Sequence, residues 1–140
     1  MSNEITVGIS VKLNELFGEG YEIYTDDVEQ GLKEPCFFIK LLKVQNKPLL
    51  GKRKNRTYPY IITYFPIGGN KEMEEISEKM MDGLEYINLS SGDIVRGHSI
   101  ESEIVDGNLQ TSVQYDVFLN SAETTETMDN MLSDINLEGV

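Results

Sequence analysis

Residues 109–119, "LQTSVQYDVFL", alternate between two kinds of side chain with a period of two. Apolar or β-branched residues occupy every second position, at Leu109, Thr111, Val113, Tyr115, Val117 and Leu119. The polar residues Gln110, Ser112, Gln114 and Asp116 stand between them. This alternation predicts a β-strand with one face on the core and the other toward water. The dipeptide Asp106-Gly107 is typical of tight hairpin turns, so residues 94–105 are predicted to be the antiparallel partner strand.

Two other segments repeat their apolar residues at helical intervals instead. In residues 3–17 the stripe consists of Ile5, Ile9, Leu13, Leu16 and Phe17, and Gly18 is placed to end the helix. In the second segment the stripe consists of Met73, Ile76, Met80, Leu84 and Ile87, with Gly83 as a mild weakness. Asn70 is predicted to cap the second helix, and Glu72, Glu74 and Glu75 to complement its dipole in the first turn.

Three strands are predicted between the two helices. Residues 21–25 alternate, residues 36–44 form a nearly continuous apolar run typical of a central strand, and residues 57–65 are rich in β-branched and aromatic side chains. Pro59 has no amide hydrogen and therefore belongs at an edge position or a bulge. The predicted order is α-β-β-β-α-β-β. It describes an α+β domain over residues 1–120, with a mostly antiparallel sheet and both helices packed on one face.

The last twenty residues, 121–140, have a different character. They carry five acidic residues and no Lys or Arg, yet they contain one narrow apolar stripe formed by Met128, Met131, Leu132 and Ile135. An isolated helix of this length is marginal in water. This acidic C-terminal segment is therefore predicted to dock, as a short helix, either on its own domain or on a neighbour.

The overall composition is that of a soluble globular protein. The chain has 140 residues and a formal net charge of −12, which opposes attachment of the whole body to DNA or anionic lipid. Cys36 is the only cysteine and precedes an apolar run, so we predict a buried thiol rather than a nucleophile. Neither a signal peptide nor a run long enough to span a bilayer is found, and the cysteine usage suits a reducing cytosol.

Residues with the potential for catalysis or ligand binding are few and scattered. His98 and Cys36 cannot form a closed zinc site, and the acidic cluster Asp26, Asp27 and Glu29 lacks the pattern of a calcium loop. Gly68-Gly69 lies between a strand and a helix but matches no phosphate-binding motif. No second catalytic group can be placed near His98. The sequence thus predicts no enzyme activity, no cofactor and no metal.

The stretch "KRKNR", residues 52–56, concentrates positive charge in this acidic chain. Seven of the twelve Lys and Arg residues fall within residues 40–56, and no Asp or Glu interrupts them. One interpretation is a nucleic-acid contact, with Tyr58, Tyr60 and Tyr64 stacking on bases, although strand alternation makes those tyrosines core residues by default. A second is contact with an acidic surface of another subunit, as in a head-to-tail ring. The third is a solvated loop.

Two stretches resemble a known family: "YEIYTDDVEQGLKEPCFFIKLL" (residues 21–42) and "GKRKNRTYPYIITYFP" (residues 51–66). They are similar to the tail-terminator family of phages and phage-tail-like bacteriocins, which includes the small protein of PBSX-like contractile tails of Gram-positive bacteria. The likeness runs over residues 5–84 and is strongest in "VEQGLKEPCFF" and "RTYPYIITYFP". Neither piece is a catalytic motif.

This resemblance implies a structural role and a set of partners. Tail terminators form a hexameric ring on the last ring of the tail tube, stop its growth, and meet the sheath end and, where a head exists, the head connector. The protein is then expected in the host cytoplasm during assembly and afterwards at the head-proximal or collar end of the particle, with no membrane contact and no stable binding to nucleic acid.

Two groups of residues are candidates for the contacts of such a protein. We predict that Lys52, Arg53, Lys54 and Arg56 form the tip of a hairpin loop that touches a neighbouring subunit or the tube. We predict that Met128, Met131, Leu132 and Ile135 anchor the acidic C-terminal segment. The alternative is a small nucleic-acid-binding phage protein that uses the basic loop of residues 52–56.

Overall fold

The computed structural model describes residues 1–25 and 32–120. Within them the chain forms two helices and seven strands: α1 (Ser2–Phe17), β1 (Glu22–Tyr24), β2 (Cys36–Leu41), β3 (Gln45–Pro48), β4 (Arg53–Phe65), α2 (Asn70–Gly83), β5 (Tyr86–Asn88), β6 (Ile94–Val105) and β7 (Asn108–Asn120). The strands make one sheet in the order β1-β2-β4-β7-β6-β5, with β3 pairing with β4. All neighbours are antiparallel except β1 and β2. The predicted α+β class is confirmed, while two short strands, β3 and β5, were not predicted.

The hairpin of β6 and β7 is the part of the fold that the sequence predicts best. Asp106 and Gly107 have φ angles of 52° and 79°, as a tight hairpin turn between right-twisted strands requires. Pairing of β6 with β7 starts beside the turn and ends at Gly97 opposite Tyr115. Strand β7 also pairs with β4 along its whole length beyond Asn108. The alternating stretch is therefore an inner strand of the sheet.

The hydrophobic core lies between the two helices and one face of the sheet. Its buried side chains include Ile5, Ile9 and Leu13 from α1, Met73, Ile76 and Met80 from α2, Tyr58, Tyr60, Ile62 and Tyr64 from β4, and Leu109, Val113 and Tyr115 from β7. The helix side chains follow the predicted 3.6-residue stripes, and the strand side chains follow the period of two. Gly18, with φ of 84°, ends α1 as predicted.

The start of α2 differs from its prediction. Gly69 is the residue before the first turn and no side chain caps it, so the assignment of Asn70 as cap is wrong. The carboxylate of Glu72 instead reaches back and accepts hydrogen bonds from the N–H groups of Gly68 (2.7 Å) and Ile67 (3.3 Å). The helix ends at Gly83, and Ile87 belongs to β5 rather than to the helical stripe.

Strand β2 ends sooner than predicted, at Leu41 rather than at Val44. Pro59 explains the early end. The N–H of Leu42 donates to the carbonyl oxygen of Pro59 (2.8 Å), so Pro59 turns the side that lacks an amide hydrogen toward residues 42–44. The ladder on that side of β4 breaks there and resumes as β3 at Gln45.

Candidate functional site

The basic stretch is the beginning of strand β4, not a loop. Arg53 is the first residue of the strand; Lys54 pairs with Pro48 of β3 and Leu119 of β7, and Arg56 pairs with Asn46 and Val117. The prediction of a basic loop is therefore wrong for residues 53–56. Pairing on both sides holds the segment extended, although its own side chains have weak strand preference.

We call the part of the sheet built from residues 45–57 and 116–120 the arm. It comprises β3, the first residues of β4 and the last residues of β7, and its tip is the turn between β3 and β4. In this turn the N–H of Leu49 donates to the carbonyl oxygen of Arg53 (2.9 Å), and Gly51 has a φ of 71°. Lys52 is exposed in the turn itself.

The arm concentrates positively charged side chains, and three of them are Arg53, Lys54 and Arg56. Arg53 is exposed, and Lys54 and Arg56 are half-buried. The guanidinium Nε of Arg56 donates to the amide oxygen of Asn46 (2.8 Å). Within residues 1–25 and 32–120, none of these three cations lies in an ion pair with a carboxylate. The arm thus offers positive charge to a partner.

Exposed apolar side chains accompany these cations. Leu50 at the tip is 93% exposed, Phe118 is 72% exposed, and Leu49 is also exposed. A hollow of about 330 Å³ lies beside them, lined by Leu49, Arg53, Phe118, Leu119 and Asn120. Large apolar side chains that cluster on the surface beside charges are a common mark of a protein contact.

The tyrosines that follow the basic stretch do not form a base-stacking platform. Tyr58, Tyr60 and Tyr64 are buried on the helix-facing side of β4. The hydroxyl of Tyr60 donates to the carbonyl oxygen of Ser2 (3.0 Å), and that of Tyr64 donates to Glu72. Burial raises the pKa of both phenols. The interpretation as core residues is confirmed, and stacking of these rings on nucleic-acid bases is excluded in the folded domain.

A second feature lies at the base of the arm, where β6 and β7 separate. The ladder is interrupted between His98 and Glu101, and Ser99 has a φ of 55°. An open cleft of about 800 Å³ begins there. At its edge, Nε2 of His98 lies 3.0 Å from Oδ2 of Asp116, and Nδ1 of His98 lies 3.0 Å from Oγ of Ser99.

This arrangement corrects the prediction that no second polar group of catalytic type lies near His98. Asp116 also accepts a hydrogen bond from Oγ1 of Thr57 at 2.7 Å. The side-chain contacts Thr57–Asp116 and Asp116–His98 therefore connect β4, β7 and β6, and they fix the base of the arm to the rest of the sheet. Asp116 lies eighteen positions after His98 in the sequence, so no local pattern could have indicated their contact.

A third feature is a groove of about 410 Å³ between α2 and the β6–β7 hairpin. Its lining includes the apolar side chains of Met81 and Ile104 and the acidic residues Glu74, Glu78 and Glu103. All three glutamates are exposed. Sequence reasoning missed this groove. The only signal was the four-residue spacing of Glu74 and Glu78, which places both on one side of α2.

The remaining candidate residues from the sequence are Cys36, Gly68 and two groups that lie outside the described residues. Cys36 is buried, as predicted; burial, with the negative charge of Glu34, raises the pKa of its thiol, and a protonated thiol is a poor nucleophile. Gly68 donates its N–H to Glu72 instead of lining an open phosphate site. Asp26, Asp27 and Glu29, and likewise Met128, Met131, Leu132 and Ile135, lie outside the described residues.

Among the described residues, no three His, Cys, Asp or Glu side chains gather closely enough to hold a metal ion. No helix in residues 1–25 or 32–120 has the length and apolarity to cross a membrane.

The fold and its surfaces define a small α+β domain with a sheet arm that bears exposed apolar and positively charged side chains. A family model described as phage tail terminator protein matches residues 4–128, and the chain belongs to that family. It is accordingly a structural component of a phage tail, as the resemblance of residues 5–84 implied. A search of the curated proteins found no match.

Proposed function

We propose that this protein forms a ring that caps the end of a phage-like tail tube and stops tube growth. The observation that carries the proposal is the arm, because Leu50 is 93% exposed beside Arg53 and Lys54, two cations that lie in no ion pair within residues 1–25 and 32–120. A domain that exposes such a surface to water is suited to bury it against another protein. Membership of the tail terminator family indicates that the partner is another component of the tail.

The mechanism of termination is geometric. One face of the ring binds the exposed end of the tube, and the opposite face lacks the surface that a further tube ring would need. In a contractile tail the ring also joins the tube to the sheath end. It meets the head connector where a head exists, and in a headless bacteriocin it closes the collar end.

We further propose six copies in the ring, in keeping with the tail terminators that the chain resembles. Two different surfaces on each copy can close such a ring by head-to-tail contact. Assembly takes place in the host cytoplasm, and the protein then stays at the head-proximal end of the particle. Each copy consists of a folded domain over residues 1–120 and an acidic C-terminal segment over residues 121–140.

Electron microscopy of the purified protein mixed with purified tail tubes tests this function directly. We expect rings at tube ends only and, when the protein is present during tube assembly, tubes that stop at a uniform length. Decoration along the whole tube, or no binding at all, would overturn the proposal.

The four basic residues have their own test. Simultaneous reversal of Lys52, Arg53, Lys54 and Arg56 to Glu should leave the monomer folded and reduce capping, with a weaker dependence of capping on salt. Reversal of Lys71, an exposed cation on α2, is the matched control for a change of charge outside the arm. Unchanged capping and unchanged salt dependence in the fourfold variant would mean that these residues are only solvated.

The apolar stripe of residues 128–135 is proposed to hold the acidic C-terminal segment in the assembly. Truncation after Asn120 should then weaken ring formation or capping. Replacement of Met131 and Leu132 by Ser in the full-length chain should have the same effect without shortening the chain. Full assembly by both variants would refute the role of the stripe.

The alternative function is nucleic-acid binding through the cations of the arm, which the charge cluster alone would favour. It predicts DNA affinity that falls steeply as the salt concentration rises, with a slope set by the few phosphates contacted. Fluorescence anisotropy with duplex and single-stranded DNA at low salt separates the two functions. We expect no binding, because the tyrosines that would stack on bases are buried in the core.

A further inference from the structure

We propose that the tip of the arm of one copy docks into the acidic groove of the next copy, between α2 and the β6–β7 hairpin. This inference rests on the proposed ring and names the two surfaces that would build it. The occupant of the groove is a second copy of this chain.

The two surfaces are complementary in chemistry. The arm presents an apolar side chain, Leu50, followed after Gly51 by the positively charged residues Lys52, Arg53 and Lys54. The groove is lined by apolar side chains that include Met81 and by three glutamates. An exposed leucine near cations matches a groove that combines apolar side chains with carboxylates.

The three glutamates that line the groove are not neutralised by ion pairs in the described part of the chain. In residues 1–25 and 32–120, none of Glu74, Glu78 and Glu103 lies in an ion pair. Arg53 and Lys54 on the arm are equally unpaired there. Charges of opposite sign at such a contact fix its register and exclude wrong partners, while the buried leucine supplies affinity.

The geometry of β7 excludes the same contact within one chain. Leu109, at one end of the strand, lines the groove, and Leu119, near the other end, lines the hollow beside the arm. Ten residues of extended strand at about 3.4 Å each separate the two by roughly 34 Å. The arm of a copy therefore cannot reach its own groove.

A contact between two different surfaces at opposite ends of a subunit is heterologous. Repetition of such a contact produces a closed ring when the rotation closes and an open filament when it does not. Arm-in-groove docking thus gives each copy one neighbour on either side, as a capping ring requires.

Two reversed variants and their mixture test the inference. The arm variant carries Lys52→Glu, Arg53→Glu and Lys54→Glu, and the groove variant carries Glu74→Lys, Glu78→Lys and Glu103→Lys. In each variant alone, arm and groove have the same sign of charge and should repel. In a mixture, each arm meets a groove of opposite sign, so the two variants should alternate around a ring.

The assembly state is measured by native mass spectrometry and by light scattering after size exclusion, and on tube ends by electron microscopy. We expect rings from the wild type, monomers from each variant alone, and rings with even numbers of copies from the mixture. Recovery in the mixture also shows that both variants are folded. A control chain with Glu75→Lys, Asp82→Lys and Glu101→Lys carries the same charge change on exposed sites outside the groove, and should assemble like the wild type.

The possible failures can be told apart. Ring formation by either variant alone, loss of rings in the control chain, or failure of the mixture to recover would overturn arm-in-groove docking and leave the capping function standing. A wild-type chain that neither forms rings nor binds tube ends would overturn the proposed function and this inference with it.

Discussion

The hydroxyl group of Tyr115 in β7 donates a 2.6 Å hydrogen bond to the carbonyl oxygen of Leu84, the residue that follows α2. Both residues are buried in the core. The last carbonyl groups of a helix lack partners within the helix, and this bond satisfies one of them. It also attaches the end of α2 to an inner strand of the sheet, beside the point where β6 leaves β7 at Gly97.

Replacement of Tyr115 by Phe should lower the free energy of unfolding by about 1–2 kcal/mol, because the carbonyl oxygen of Leu84 would be left buried without a donor. Urea denaturation monitored by circular dichroism measures the change. Tyr86→Phe removes a hydroxyl from an exposed ring and is the matched control. Equal stability of the two variants would contradict the importance of the buried bond.

Stability should also decline in alkali. Burial raises the pKa of Tyr115, and burial with the hydrogen bond to Glu72 raises the pKa of Tyr64, because each phenolate would lose its hydration. A raised pKa in the folded state means full stabilisation below the unfolded value, about 10 for tyrosine, and loss as the pH rises toward the folded value. We expect the free energy of unfolding to fall progressively as the pH rises above about 10.

The variant Tyr115→Phe should show a shallower decline over the same range, since it has one buried phenol fewer to ionise. Urea titrations at several pH values for the wild type, Tyr115→Phe and Tyr86→Phe provide the comparison. An identical slope in all three proteins would mean that ionisation of Tyr115 does not oppose folding.

Gly97 should not tolerate a side chain. A Cβ atom at this position would lie 2.7 Å from Cγ2 of Val113 and 3.0 Å from the carbonyl oxygen of Leu84. Gly97→Ala should therefore reduce the free energy of unfolding by about 1–3 kcal/mol, as overpacking of a core does. Gly20→Ala, where nothing lies within 4 Å of the added Cβ, is the control. Equal thermal midpoints for the two variants would show that β6 shifts at little cost.

Glu72 should contribute more to the free energy of unfolding than the exposed glutamates on α2 do. Its carboxylate accepts the N–H groups of Gly68 and Ile67 ahead of the helix. Glu72→Ala should cost about 1 kcal/mol of stability, the typical net value for a lost intramolecular hydrogen bond. Glu75→Ala, at an exposed position on the same helix, should cost much less. Similar losses for both variants would argue against a stabilising role of these hydrogen bonds.

The tip of the arm should matter for assembly and not for folding. Leu50→Asp changes a residue that is 93% exposed, so the free energy of unfolding should stay within about 0.5 kcal/mol of the wild type. Ring formation and tube capping should weaken, because a carboxylate cannot replace the apolar contact and would face the glutamates of the groove. Ile67→Asp, at a residue that is 71% exposed outside the arm, is the control. A Leu50→Asp variant that caps normally would exclude the tip from the contact.

Local patterns predict the parts of this fold that depend on near neighbours in the chain. The period of two in residues 109–119 and the turn at Asp106-Gly107 predict the β6–β7 hairpin, because turn and strands are contiguous. The helical stripes predict both helices and the face that each buries. The family could also be inferred from the sequence. The two stretches that resemble tail terminators cover β1, β2 and β4, and the family model matches residues 4–128.

Contacts between residues distant in the sequence decided the parts of the fold and of the candidate site that local patterns do not predict. The charged residues 53–56 have little strand preference of their own, and they are extended because they pair with β7, more than sixty residues later. The break at Leu42 depends on Pro59 across the ladder, the contact of His98 with Asp116 depends on the bulge in β6, and the acidic groove exists only where α2 lies against the hairpin. The sequence alone determined periodicity, helix faces and family. The arm, the contacts of Thr57, Asp116 and His98 at its base, and the acidic groove arise from pairing and packing over long separations, which no local propensity encodes.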